Sequence, residues 1–191
     1  MRLYLASSSP RRAALLRAAA IPFELVSPGP ETIGRGAPRE LAVQRARSKA
    51  GAVDLAGLPP GLVLGVDTVV ALGDLDFDQP RDAEAARETL RALQGRTHEV
   101  WTALCLQPHP ARGDRRFEAL ARAVVRFAPL DEARIERHVA SAGWRGKAGG
   151  YGIQDADVDF ATLVEGARDT VIGLPVATLR ELLAHALAEC G

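Results

Sequence analysis

The first residues whose types and spacing could do chemistry are Ser7-Ser8-Ser9-Pro10-Arg11-Arg12. A serine followed by proline reads as the start of a helix, with the serine as N-cap and Pro10 at the first helical position. The first-turn N–H groups of such a helix lack partners within it and converge on one spot. Two adjacent arginines there face the positive end of the helix dipole, where Asp or Glu is the usual choice. An anion bound between them removes the conflict. Hydroxyls such as that of Ser8, free amides and two guanidinium forks together make a cradle for a polyphosphate. The forks bind in a bidentate manner that lysine cannot reproduce. The same residues also read as a capped surface helix with solvated arginines.

The run Leu62-Val63-Leu64-Gly65-Val66-Asp67-Thr68-Val69-Val70-Ala71 is apolar enough for a strand buried on both faces, and Asp67 interrupts it. Burying an unpaired carboxylate costs several kcal/mol, so Asp67 must be paired, hydrogen-bonded, or set at an open strand end facing a site. A carboxylate beside a phosphate cradle suits Mg²⁺ or Mn²⁺, hard cations that keep waters and substrate phosphate oxygens and need only one or two protein carboxylates. Glu31, within Pro28-Gly29-Pro30-Glu31-Thr32, is the second candidate. Lys49 falls on an expected helix whose nearby face carries Ala42, Ala46, Ala50 and Val53. Its stem would cross small residues and its ammonium would reach a cleft. Each has a plainer reading: a strand-end hydrogen bond for Asp67, a loop carboxylate for Glu31, a solvated head on a buried stem for Lys49.

The fourth constellation is Gly146-Lys147-Ala148-Gly149-Gly150-Tyr151-Gly152-Ile153-Gln154. Its glycines let a backbone turn tightly and approach a ligand, Tyr151 offers a stacking face, and Gln154 can present donor and acceptor to a base edge. A structural loop is the alternative. The order of residues is neither that of a Walker phosphate loop nor that of a Rossmann fingerprint. His98, His109, His138 and His185 show no metal-ligand spacing, and no serine sits in a G-x-S-x-G elbow.

These residues need elements to hold them. Strands are expected at residues 3–6, 23–26, 62–71, 98–106 and 117–127, the last half-exposed, and helices at 10–20, 38–55, 82–93, 131–142 and 175–190. Asp82 and Asp131 are the expected caps of two of these helices. A strand–helix start followed by consecutive strands favours an α/β mixed sheet over a doubly wound parallel one. The 191 residues suit one domain spanning 1–191. Hydrophobic residues at 47% and charged residues at 25% exclude disorder, collagen and coiled coil. With 24 basic and 24 acidic residues, no global field draws the chain onto nucleic acid or an anionic membrane, so any anion site must be local. Cys105 and Cys190 form neither a disulfide framework nor a zinc knuckle, and there is no signal-peptide or membrane-spanning run. A cytoplasmic protein is expected.

The order of these motifs resembles the Maf family, the septum-formation-inhibitor proteins that act as nucleotide pyrophosphatases. Leu5-Ala6-Ser7-Ser8-Ser9-Pro10-Arg11-Arg12 is similar to its opening signature and Gly65-Val66-Asp67-Thr68-Val69-Val70 to its buried aspartate strand. Gly95-Arg96-Thr97-His98-Glu99-Val100-Trp101-Thr102, the loop ending in Gln154, and Val171-Ile172-Gly173-Leu174-Pro175 resemble three later signatures. The resemblance implies an elongated mixed sheet with flanking helices, forming two lobes around a cleft as in the inosine triphosphate pyrophosphatases. It implies metal-dependent hydrolysis of a nucleoside triphosphate to monophosphate and pyrophosphate, and a homodimer. Asp67, Arg12, Lys49 and Gln154 would form the catalytic set. Asp67 and Glu31 would hold the cation, Ser8, Arg11, Arg12, Lys49 and Lys147 the phosphates, and Gln154 the base. Gln154 is the residue of a subgroup that resembles dTTP/UTP pyrophosphatases. A nucleotide-binding division regulator with little or no hydrolysis, or a pyrophosphatase for non-standard purine triphosphates or 7-methyl-GTP, is the alternative.

One position departs from the family pattern. Where Gly-Lys-Pro usually follows the aspartate strand, this chain has Asp78-Gln79-Pro80. Gln79 can donate hydrogen bonds to phosphate but lacks a charge to set against the negative charge developing during phosphoanhydride cleavage, with Arg81 as a candidate substitute. Gln79→Lys is therefore expected to raise triphosphate turnover. Unchanged or lower turnover, with folding intact, would show that this position supplies no missing cation.

Overall fold

Leu62, Leu64 and Val66 alternate with Val63, Gly65 and Asp67 along one strand, and both sets are buried because helices cover both faces of the sheet. The strand is β3 (Gly61–Leu72), flanked in order by β1 (Arg2–Ala6), β2 (Glu24–Val26) and, on its other side, β5 (Thr97–Pro108), β6 (Phe117–Phe127) and β7 (Ala161–Glu165). A short β4 (Leu75–Phe77) folds back onto the end of β3. The sheet is mixed: β1 runs parallel to β2 and β3, and β3, β5, β6 and β7 are successively antiparallel. This computed structural model describes residues 2–28, 34, 36–110 and 115–190.

Helices α1 (Pro10–Ala18) and α6 (Val176–Cys190) lie on one face, where Leu16, Leu179 and Ala186 meet Leu3, Leu5, Leu62, Leu64 and Leu104. Farther along that face, α3 (Ala83–Leu93) and α4 (Glu132–Ala140) bring Leu90 and Ile135 against Val70, Val100, Val125 and Phe127. A polar seam separates the two cores. The Thr68 and Thr102 hydroxyls are 3.0 Å apart, and Thr102 donates to the Thr170 carbonyl at 2.8 Å, in the short helix α5 (Arg168–Ile172). Two lobes thus share the long strands, with the seam at their waist.

The opposite face carries α2 (Pro38–Gly51), seated unusually close. A Cβ on Gly65 would stand 2.2 Å from the Ala46 carbonyl oxygen and 2.6 Å from the Ala50 amide. Only glycine on the strand and alanines on the helix permit this backbone approach.

The structure follows the expected strands and helices in the main, and Asp82 and Asp131 cap α3 and α4, accepting from the Ala85 and Arg134 amides at 2.8 and 2.7 Å. It differs in its short pieces. β4, β7 and α5 span three to five residues, too few for a periodic signal, and α2 stops at Gly51 instead of reaching residue 55. Ser9 occupies the N-cap of α1 without a side-chain bond to the helix; its own amide donates to the Ser7 hydroxyl at 3.2 Å.

His98 lies in the second core, edge-on to Phe127 with centroids 4.9 Å apart, its Nε2 2.8 Å from the Tyr151 hydroxyl. Burial holds its pKa down at about 4, against an ordinary value of 6.5. Between those two values the unfolded chain binds a proton that the folded one refuses, so this group's contribution to stability is lost as pH falls from 6.5 to 4. The loss is expected to total about 3 kcal/mol. Denaturation across that range should show it, and His98→Phe should flatten that part of the curve.

Candidate active site

Along the outer edge of β3, β1 ends with Ala6 opposite Gly65, and the antiparallel β4 ends with Phe77 opposite Val70. No described strand pairs with residues 66–69 on that edge, which opens the sheet where Asp67 stands. Asp67 shares the face of Gly65, two residues earlier, and therefore points toward α2. The close seating of that helix brings Lys49 to it: Nζ donates to Asp67 Oδ1 at 2.7 Å, with side chains only 10% and 7% exposed. Asp67 Oδ2 is buried and has no hydrogen-bond partner among the described residues. Burial raises the Asp67 pKa, opposed by Lys49 and, more weakly, by Arg12 and Arg45.

Arg12 pins three segments together. Its Nε donates to the Gly173 carbonyl at 3.0 Å, Nη1 to the Ser7 hydroxyl at 3.1 Å and Nη2 to the Thr68 hydroxyl at 3.4 Å. Gly173 ends α5 with a φ of 115°, a left-handed conformation that suits glycine, and a Cβ there would lie 3.1 Å from the Thr68 hydroxyl oxygen. Arg11 reaches across to the Gly146 carbonyl at 2.6 Å, and burial lowers its pKa while the charge of Asp155 opposes the shift. Ser8 is exposed at the mouth.

The facing wall is the 3₁₀ turn Ala148–Gly150 and its flanks. Lys147 Nζ donates to the Gly143 carbonyl at 2.5 Å and to the Asp155 carboxylate, and Gln154 Nε2 donates to the same carboxylate at 2.8 Å. Tyr151 corrects one expectation. Its hydroxyl is bonded to His98 and its ring packs edge-on to Phe127 at 4.7 Å, so it is a core residue that borders the cavity, without a free stacking face.

Ser8, Arg11, Arg12, Lys49, Asp67, Gln79, Lys147 and Gln154 all line one cavity of about 430 Å³. Glu31 lies outside the described residues. Arg81, 89% exposed and paired with Asp82, lies outside the lining and offers no substitute charge there. Arg145, which sequence reasoning missed, joins the lining. Asp155 stands behind the wall and Arg45, one turn before Lys49, is held by Asp78; neither carried a signal of its own in the sequence. Among the described lining residues, Arg11, Arg12, Lys49, Arg145 and Lys147 face a single carboxylate, Asp67, in a chain of zero net charge. The local field suits a polyanion. The described residues hold no cluster of three His, Cys, Asp or Glu, and among them Asp67 is the carboxylate in the lining that could offer an oxygen to a divalent cation, a hard ion that also takes phosphate and water oxygens.

A model of the family described as Maf-like protein matches residues 2–186. The chain belongs to the Maf-like family. It is similar to the dTTP/UTP pyrophosphatase of Hyphomonas neptunium, 41% identical over 184 residues, covering 95% of this chain and 93% of that protein. The dTTP/UTP pyrophosphatase of an Anaeromyxobacter species is 43% identical, covering 97% and 89%. That of Salmonella typhimurium is 41% identical, covering 96% and 92%. Among solved structures, the Staphylococcus aureus Ham1 protein superposes with a TM-score of 0.46 at 11% identity over 67% of this chain and 72% of that one, a likeness too slight to add to the fold described above.

In this Maf-like chain Arg12 ties Ser7, Thr68 and Gly173 together at the waist. Lysine at position 12 could keep one of the bonds to Gly173, Ser7 and Thr68. Arg12→Lys is expected to lower unfolding free energy by about 2 kcal/mol, as measured by denaturant titration.

Proposed function

We propose that the chain hydrolyses nucleoside triphosphates, dTTP and UTP foremost, to the nucleoside monophosphate and pyrophosphate. One observation carries the reading: among the described residues, a buried carboxylate with an unpartnered oxygen sits at the edge of a cavity whose other charges are five cations. The names and near-full coverage of the relatives support the substrate class.

In this reading Arg11, Arg12, Lys49 and Lys147 take the phosphate oxygens, with Ser8 adding a hydroxyl contact at the mouth. Gln154, on the far wall, meets the base. Asp67 orients the water for in-line attack on the α-phosphorus, and its partner Lys49 keeps the carboxylate in place. Mg²⁺ or Mn²⁺ would be held through Asp67, with Glu31 as the second carboxylate, and when bound would neutralise charge on the phosphate oxygens. We take the cytoplasm as the place of action: the described Cys105 is a free, buried thiol whose pKa burial pushes up to about 12, and no described helix is long and apolar enough to cross a membrane. A homodimer is the assembly that the family resemblance supports.

Incubation with Mg²⁺ or Mn²⁺ and each triphosphate in turn, followed by detection of pyrophosphate, tests the reading. Release of pyrophosphate from dTTP and UTP is expected; binding without release would identify a nucleotide sensor. Asp67→Asn is expected to reduce kcat by at least about 100-fold while sparing triphosphate binding. Near-normal turnover in that variant would remove Asp67 from the chemistry.

A further inference from the structure

The roles above leave Asp155 without a task, although its carboxylate is the hub of the base-side wall. It accepts from the Lys147 ammonium and, at 2.8 Å, from Gln154 Nε2. A carboxylate paired with an ammonium offers only acceptors, so the Gln154 carboxamide has to turn its NH₂ toward Asp155. The atom left over is Oε1. It is buried and has no hydrogen-bond partner among the described residues, in a side chain that borders the cavity. An acceptor so placed bears its desolvation without compensation until a donor arrives. Gly152 makes room for the arrangement, since a Cβ there would fall 2.4 Å from Gln154 Nε2 and 2.6 Å from Asp155 Oδ2.

We propose that Asp155 is a positioning residue for base selectivity. By pinning the Gln154 amide, it leaves an acceptor for the base and favours a ring nitrogen that carries a hydrogen over one that carries a lone pair. N3 of uracil and thymine is the first kind; N3 of cytosine is the second. The proposal rests on the reading that Gln154 meets the base.

The main chain of the turn does not need the carboxylate: the Asp155 amide donates to the Gly152 carbonyl at 2.9 Å, and the Val158 amide to the Asp155 carbonyl at 3.1 Å. Asp155→Asn would give its one oxygen to Lys147 and turn its NH₂ on Gln154, reversing the amide; Asp155→Ala would release it. The measurement is kcat/KM for UTP and CTP with Mg²⁺ in wild type, both Asp155 variants and Gln154→Ala. Both Asp155 variants are expected to lower the UTP:CTP ratio at least about tenfold. A looser Lys147 acts on phosphates common to both nucleotides, and a merely structural role lowers both values alike, so neither moves the ratio. A ratio within about twofold of wild type in both Asp155 variants, while Gln154→Ala collapses it, overturns the assignment of Asp155 and leaves Gln154 at the base. Wild-type selectivity in Gln154→Ala, or no preference for UTP in the wild type, overturns that reading and the proposal with it.

Discussion

The close seating of α2 on β3 is the constraint on which the site depends. A helix normally stands off a sheet by the depth of its side chains. Here Gly65 on the strand and Ala46 and Ala50 on the helix remove that layer, so the backbone of one element rests on the backbone of the other. Lys49, on the same helix, is then near enough for its ammonium to meet Asp67 at 2.7 Å inside the protein. Removing two charges from water costs several kcal/mol per ion, and the hydrogen bond between them does not return all of it. Asp67 Oδ2, without a hydrogen-bond partner among the described residues, is the visible part of that deficit. A stable fold can bear such a deficit where the carboxylate serves a ligand.

Around that pair the sheet supplies an opening and the loops supply charge. Strand β3 is paired on its outer edge at both ends, and no described strand pairs with it between them, so the aspartate stands at a gap in the sheet edge. On the other face, the Thr68, Thr102 and Thr170 seam keeps two apolar cores apart, and Arg12 ties that seam to the start of α1. The guanidinium that sits awkwardly at a helix N-terminus is thereby braced from three sides. Braced cations hold their geometry before an anion arrives, which reduces the ordering entropy that binding must overcome. Concentrating five cations around one cavity in a chain of balanced charge gives local attraction without general stickiness toward nucleic acid.

Much of this was legible in the sequence, for identifiable reasons. A carboxylate inside a ten-residue apolar run, two arginines in a helix's first turn and a glycine-dense loop each break a local rule, and broken local rules mark sites. Long strands and capped helices were legible through their periodicity and through Asp82 and Asp131. The short elements β4, β7 and α5 were not, because three to five residues carry no period. Tyr151 is not legible for a related reason: an aromatic ring among glycines looks exposed, and only its packing against His98 and Phe127 shows that the loop turns its ring inward.

The sequence by itself determined the mixed α/β class, the family and which residues are anomalous, because those follow from residue type, order and spacing. Tertiary structure alone decided who meets whom. That Lys49 pairs with Asp67 across eighteen residues, that Arg12 spans 161 residues to reach Gly173, and that Asp155 holds both Lys147 and Gln154 all depend on where backbones cross. Such pairings are set by the approach of one element to another in space. No local propensity encodes that approach, and Gly65 shows its reason only once the helix above it is seen.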